Sequence, residues 1–107
     1  MPATKYIQVQ FTIDDKNLAE EIAKTLVEEK LAACVQIIGP VSSIYRWQGK
    51  IEQSNEFLCL VKTKKSLYSK LEQRIKALHP YEVPEIISVD IVGIELKYSN
   101  WIRDSLE

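Results

Sequence analysis

Apolar and polar positions alternate over residues 5–12, with Tyr6, Gln8 and Gln10 on one face and Ile7, Val9 and Phe11 on the other, the period of a half-buried strand. The period then turns helical. Asp14 and Asp15 offer caps to a helix whose apolar pairs Leu18/Ala19, Ile22/Ala23 and Leu26/Val27 recur every four residues, while Glu20, Glu21, Lys24, Glu28 and Glu29 face water. Residues 31–38 form a nearly continuous apolar run ending at Gly39-Pro40, and a second strand-like stretch spans 41–51, so the Gly-Pro step reads as a bend in one long strand. Gln53-Ser54-Asn55 carries a turn signal, after which residues 56–63 alternate again; stretches 41–51 and 54–63 are expected to pair as an antiparallel hairpin. Ser66 is placed to cap a second helix with the stripe Leu67, Leu71, Ile75 and Leu78, which stops at His79-Pro80. Residues 86–94, interrupted by Gly93, read as a final buried strand, and Tyr98, Trp101 and Ile102 share one face of a short last helix.

The resulting order, βαββαβ plus a terminal helix, predicts an α+β, ferredoxin-like domain with an antiparallel sheet and both main helices on one face. With no internal repeat, linker or low-complexity tract, residues 1–107 are expected to form a single domain. A strand of about ten residues spans roughly 33 Å, whereas a domain of this length has a radius of gyration near ~13 Å, so the hairpin is expected to protrude. A protruding edge that carries Tyr45 and Trp47 beside Ile44 and Ile51 invites pairing with another copy of the chain. Tyr45, Trp47 and Trp101 are accordingly assigned to a core or an oligomer interface.

Composition narrows the function classes. Hydrophobic residues make up 46% of the chain, and no stretch approaches the ~20 apolar residues of a membrane span. Fourteen Lys and Arg against fifteen Asp and Glu give a net charge of -1, with the signs interspersed, which argues against nucleic acid and anionic membrane as partners. The sequence Met1-Pro2-Ala3-Thr4-Lys5-Tyr6 leads into the first strand without the features of an export segment, so a cytoplasmic location is expected. Cys34 and Cys59 lie in apolar runs, where small buried thiols are the ordinary role; with Cys59 expected to face the mid-forties, no disulfide joins them.

Candidate chemistry converges on His79-Pro80-Tyr81-Glu82-Val83-Pro84-Glu85-Ile86, where two prolines stiffen a loop carrying the only histidine, a phenol and carboxylates. A His-Pro pair also serves simply as a helix stop. No serine sits in a nucleophile elbow, and pairing Cys34 or Cys59 with His79 has no support from the surrounding sequence. Glu56 and Glu85 read as solvated surface acids, so no catalytic constellation emerges. Gly39, Gly49 and Gly93 are isolated and build neither phosphate loop nor dinucleotide fingerprint. The central strands show Leu58, Cys59, Leu60 and Val61 in place of a basic-aromatic RNA-binding string.

Taken with Ala32-Ala33-Cys34-Val35, Ile44-Tyr45-Arg46-Trp47-Gln48-Gly49-Lys50-Ile51, Val61-Lys62-Thr63 and the terminal Tyr98, Trp101 and Ile102, the histidine loop resembles that of the CutA family over nearly the whole chain. The resemblance implies a non-enzymatic, trimeric protein associated with tolerance of divalent cations, copper foremost, with strands joined around a threefold axis and the terminal helix leaning on a neighbour. Some members place a cysteine near the end of the first strand and a second histidine before the His-Pro step; here these positions hold Phe11 and Leu78. A copper site thus carries over only at His79, as a weak site completed by carboxylates or another subunit. The alternative is a signalling or scaffold module that binds a metabolite or a protein partner at its clefts, with Lys62, His79, Tyr81 and Glu85 around a small anion or metabolite between subunits.

Overall fold

The main strands meet in one antiparallel sheet of order β2-β3-β1-β4. The computed structural model describes residues 5–107. The expectation of no export segment rests on residues 1–4 as well as on Lys5 and Tyr6, and residues 1–4 lie outside the described region. In chain order the elements are β1 (Tyr6–Ile13), α1 (Lys16–Glu28), β2 (Cys34–Trp47), β3 (Lys50–Lys64), a 3-10 turn (Lys65–Leu67), α2 (Tyr68–Leu78), β4 (Ile86–Asp90) and α3 (Leu96–Ser105). The arrangement is the ferredoxin-like one expected, with α1 and α2 covering one face of the sheet.

That face is built from the alternation in β1. Val9 opposes Val61 and Phe11 opposes Cys59, and all four are fully buried with Ile22, Leu26, Leu71 and Ile75 of the helices. Each such aliphatic side chain contributes on the order of 1.5–3 kcal/mol on burial. Asp15 caps α1, its carboxylate accepting the Leu18 N–H at 3.1 Å. Arg74 on α2 grips Glu29 at the end of α1 through two 2.8 Å bonds, which holds the Glu29 carboxyl below its ordinary range. The other sheet face carries Gln8, Gln10, Leu60 and Lys62, with exposed Ile38, Ile87 and Val89. A second, smaller core gathers Tyr6, Ala33, Ile102 and Leu106 and seats α3.

Five expectations change. The hairpin turns at Gln48-Gly49, where both residues have positive φ (49° and 79°), and Gln53-Ser54-Asn55 lies inside β3 opposite residues 42–44. Cys59 therefore faces Ile37, and Cys34 faces Lys62; both thiols are free. Ser66 caps nothing: it lies within the 3-10 turn, and the start of α2 has no side-chain cap. The last strand ends at Asp90, and Ile87 and Val89, on the sheet face opposite α1 and α2, are about half exposed. On α3 only Ile102 points inward; Tyr98 and Trp101 stack on each other, centroids 5.6 Å apart, and remain exposed. The bend at Gly39-Pro40 is as expected: β2 passes through it as one strand, with a register shift between Ile38 and Val41 and a cis peptide at the step.

Candidate functional site

Because β1 ends at Ile13, opposite Phe57, the stretch of β3 from Lys50 to Glu56 pairs with β2 alone and leaves space beside the hairpin. The loop after α2 enters that space. Pro80 drives His79 to extended geometry (φ -86°, ψ 135°), which ends the helix while the His79 N–H still reaches the Ile75 carbonyl at 2.8 Å.

The imidazole turns inward and is buried. Its Nε2 lies 2.7 Å from the Thr12 carbonyl oxygen, and its Nδ1 accepts the Tyr81 N–H at 3.1 Å. A carbonyl can only accept, so the ring proton sits on Nε2, and both nitrogens are engaged within the chain. The edges of Phe11 and Tyr81 pack against the ring, with centroids at 6.2 and 4.5 Å. His79 thus fastens the loop to the end of β1 and fixes the direction of Tyr81.

Tyr81 in turn donates its phenol proton to Glu56 Oε2 at 3.0 Å. Burial, followed by the hydrogen bond and charge of Glu56, pushes this phenol well above its ordinary value. Glu56 is only 6% exposed, contrary to its reading as a solvated surface acid. The overhang of β3 carries it under the loop. Together the loop and hairpin border a groove of about 680 Å³ whose lining includes Asp14, Tyr45, Trp47, Glu56, Tyr81, Glu82 and Glu85.

The candidate residues therefore separate. Tyr81 and Glu85 share the groove with Tyr45 and Trp47, whereas His79 supports Tyr81 and is not a lining residue. Lys62 lies elsewhere, with its ammonium hydrogen-bonded to the Gln36 side chain across the exposed sheet face. Trp101 sits on α3, away from the groove lining. Phe11 is fully buried and Leu78 packs against the core, so an alternative donor set is missing at both positions. Among the described residues no group of three His, Cys, Asp or Glu side chains could hold a metal ion. The missed member of the site is Glu56, whose signal was a lone acid opening the otherwise apolar run Glu56, Leu58, Leu60.

A family model described as "CutA1 divalent ion tolerance protein" matches residues 7–105. A Thermus thermophilus protein named "Divalent-cation tolerance protein CutA" is 47% identical over 97 residues, covering 91% of this chain and 94% of that protein. A rice protein named "Protein CutA 1, chloroplastic" is 40% identical over 92% of this chain, which spans only 56% of the rice protein's length. A solved Thermus thermophilus structure described as "Divalent cation tolerance protein (Cut A1)" superimposes with a TM-score of 0.92 at 45% identity, covering 95% of this chain and 99% of that one.

Proposed function

The chain belongs to the CutA1 divalent ion tolerance family, and from that premise we propose that it serves divalent-cation tolerance as a cytoplasmic, non-enzymatic homotrimer that does not hold copper through a histidine-centred site. One observation carries the exclusion of a histidine-centred copper site: both nitrogens of the only histidine are committed, to the Thr12 carbonyl and the Tyr81 N–H. Imidazole ligates a metal through a free lone pair, and His79 has none to give without breaking the loop anchor. Cu(II) is left with carboxylates, which make weak sites when they are not clustered. The family description concerns ion tolerance and names no catalysed reaction. The two unpaired thiols support a reducing compartment.

A competitive Cu(II) titration of the intact oligomer beside a His79→Ala variant, with a chelator of known affinity setting the scale, tests this proposal. We expect only weak binding of surface-carboxylate strength, unchanged by the substitution. Saturable binding of one ion per subunit or per trimer, abolished in the variant, would overturn it.

The groove favours a second reading, a module that binds a small molecule. Its volume lies within the range of small-ligand sites, roughly 300–1,000 Å³, and aromatic and charged side chains converge on it. In this reading tolerance is indirect, and the bound molecule rather than the metal is the signal.

A further inference from the structure

We propose that the groove beside the hairpin is a binding site for a small organic cation, an alkyl ammonium or diammonium ion, whose charge is met by Glu56. The proposal rests on the second reading above, that the groove takes a small molecule, and adds the class of that molecule.

The groove has one sign of charge. Asp14, Glu56, Glu82 and Glu85 line it, and among the described residues of one chain no lysine, arginine or histidine does. Within one chain Lys62, the cation expected beside an anion, is engaged with Gln36 on the sheet face. A phosphate or carboxylate ligand would therefore meet repulsion on every charged side.

Glu56 supplies the second, independent observation. It is more than nine-tenths buried and lines the groove; among the described residues its only hydrogen-bond partner is the neutral Tyr81 phenol, on Oε2. Among the described residues of one chain, Oε1 has no donor and no basic side chain compensates the charge. A buried carboxylate in that condition is unfavourable until a cation pairs with it. An ammonium group supplies both the missing charge and the missing donor in one charge-assisted bond.

The walls select an organic cation over a metal ion. Tyr45 and Trp47, which also border the expected contact with a neighbouring copy, and Tyr81 present aromatic surface, which attracts weakly hydrated cations through the ring quadrupole. Ile44 and Val83 add aliphatic surface that would cover methylene groups. A hard divalent ion takes six or more oxygens at short range, and the described residues contain no cluster of three ligating groups.

The test titrates the ¹⁵N-labelled oligomer, at low ionic strength, with 1,4-diaminobutane and with 1,4-butanediol, a neutral molecule of nearly the same shape. We expect the diamine to saturate and to shift the Tyr81 amide and the Trp47 indole, with the diol at least about tenfold weaker, the loss of one charge-assisted contact. Glu56→Gln keeps the side-chain shape and an acceptor for Tyr81, and is expected to weaken the diamine about tenfold or more. Glu85→Gln alters an exposed position and provides a variant independent of folding; it is expected to weaken the diamine about twofold to threefold, as an outer charge does in a screened setting.

Equal binding of diamine and diol would overturn the cation assignment while leaving the groove as a ligand site. Saturable diamine binding that both variants leave unchanged would place the cation elsewhere and overturn it too. If neither molecule shifts any groove resonance, the ligand-site reading falls together with the proposal. A structure of the oligomer with a neighbouring copy's Lys or Arg on Glu56 Oε1 would also overturn it.

Discussion

At the scale of single residues, His79 shows how much a side chain can do without touching a ligand. One ring satisfies a carbonyl at the end of β1, receives an amide from its own loop and aims a phenol at a buried carboxylate. His79→Ala is expected to cost about 2–4 kcal/mol in urea unfolding, because it leaves a cavity and strips a buried carbonyl of its donor. A loss below about 0.5 kcal/mol, within the range of a plain surface substitution, would show that the anchor is dispensable. Cys59 makes a different demand. Burial pushes its thiol from the ordinary 9.0 up to about 11, so the folded chain keeps a proton that the unfolded chain releases. Its contribution to stability is complete below pH 9 and is lost as pH rises through about 11. The raised Tyr81 phenol acts in the same direction from its own ordinary value upward. Denaturation midpoints measured between pH 8 and pH 11 should fall, and Cys59→Ala should flatten the part of the decline that starts near pH 9; an unchanged slope in the variant would rule the thiol out.

At the scale of elements, the kink in β2 depends on a missing side chain. A Cβ on Gly39 would lie 2.7 Å from a Phe57 ring carbon and 3.0 Å from the Glu56 carbonyl oxygen. Gly39→Ala should therefore destabilise by about 1–3 kcal/mol, read as a drop in thermal midpoint, since β3 has to move away just where it positions Glu56; a neutral effect would mean that the ladder slips there at little cost. The sequence makes the kink legible through Gly39-Pro40, and β1, α1 and the end of α2 are legible through period and capping. The hairpin turn was concealed by chemistry. Gln53-Ser54-Asn55 looks like a loop because the two-stranded part of the hairpin is wet on both faces and has no need of apolar alternation. The real turn is a two-residue link with positive φ at both positions, for which a Gly at 49 is the only local sign. The groove was half legible: the stiff loop announces Tyr81 and Glu85, but the burial of Glu56 depends on where β1 stops. Lys62 is expected in a cleft between subunits, and within one chain its strand position places it on another part of the sheet.

At the scale of the whole molecule, the hairpin sets the shape. The radius of gyration is 14.6 Å, against about 13 Å for a compact domain of this length, and the longest dimension is 44 Å. Along the overhang Ile44 and Ile51 are 69% and 72% exposed, with Tyr45 and Trp47 partly covered beside them. Those apolar residues, the bare β2 edge and the uncovered side of β4 together form more contact surface than a solitary small domain usually leaves open. Light scattering should give the mass of a trimer at micromolar concentration, and Ile51→Asp should lower it; a monomer mass for the unmodified chain would defeat the trimer. The outer edge of β2 also has a cellular consequence. Its fourteen residues are an open template for backbone pairing with any extended chain nearby. If the expected trimer forms, assembly closes that template, and the interval between synthesis and assembly is the time at which the edge is open to wrong partners.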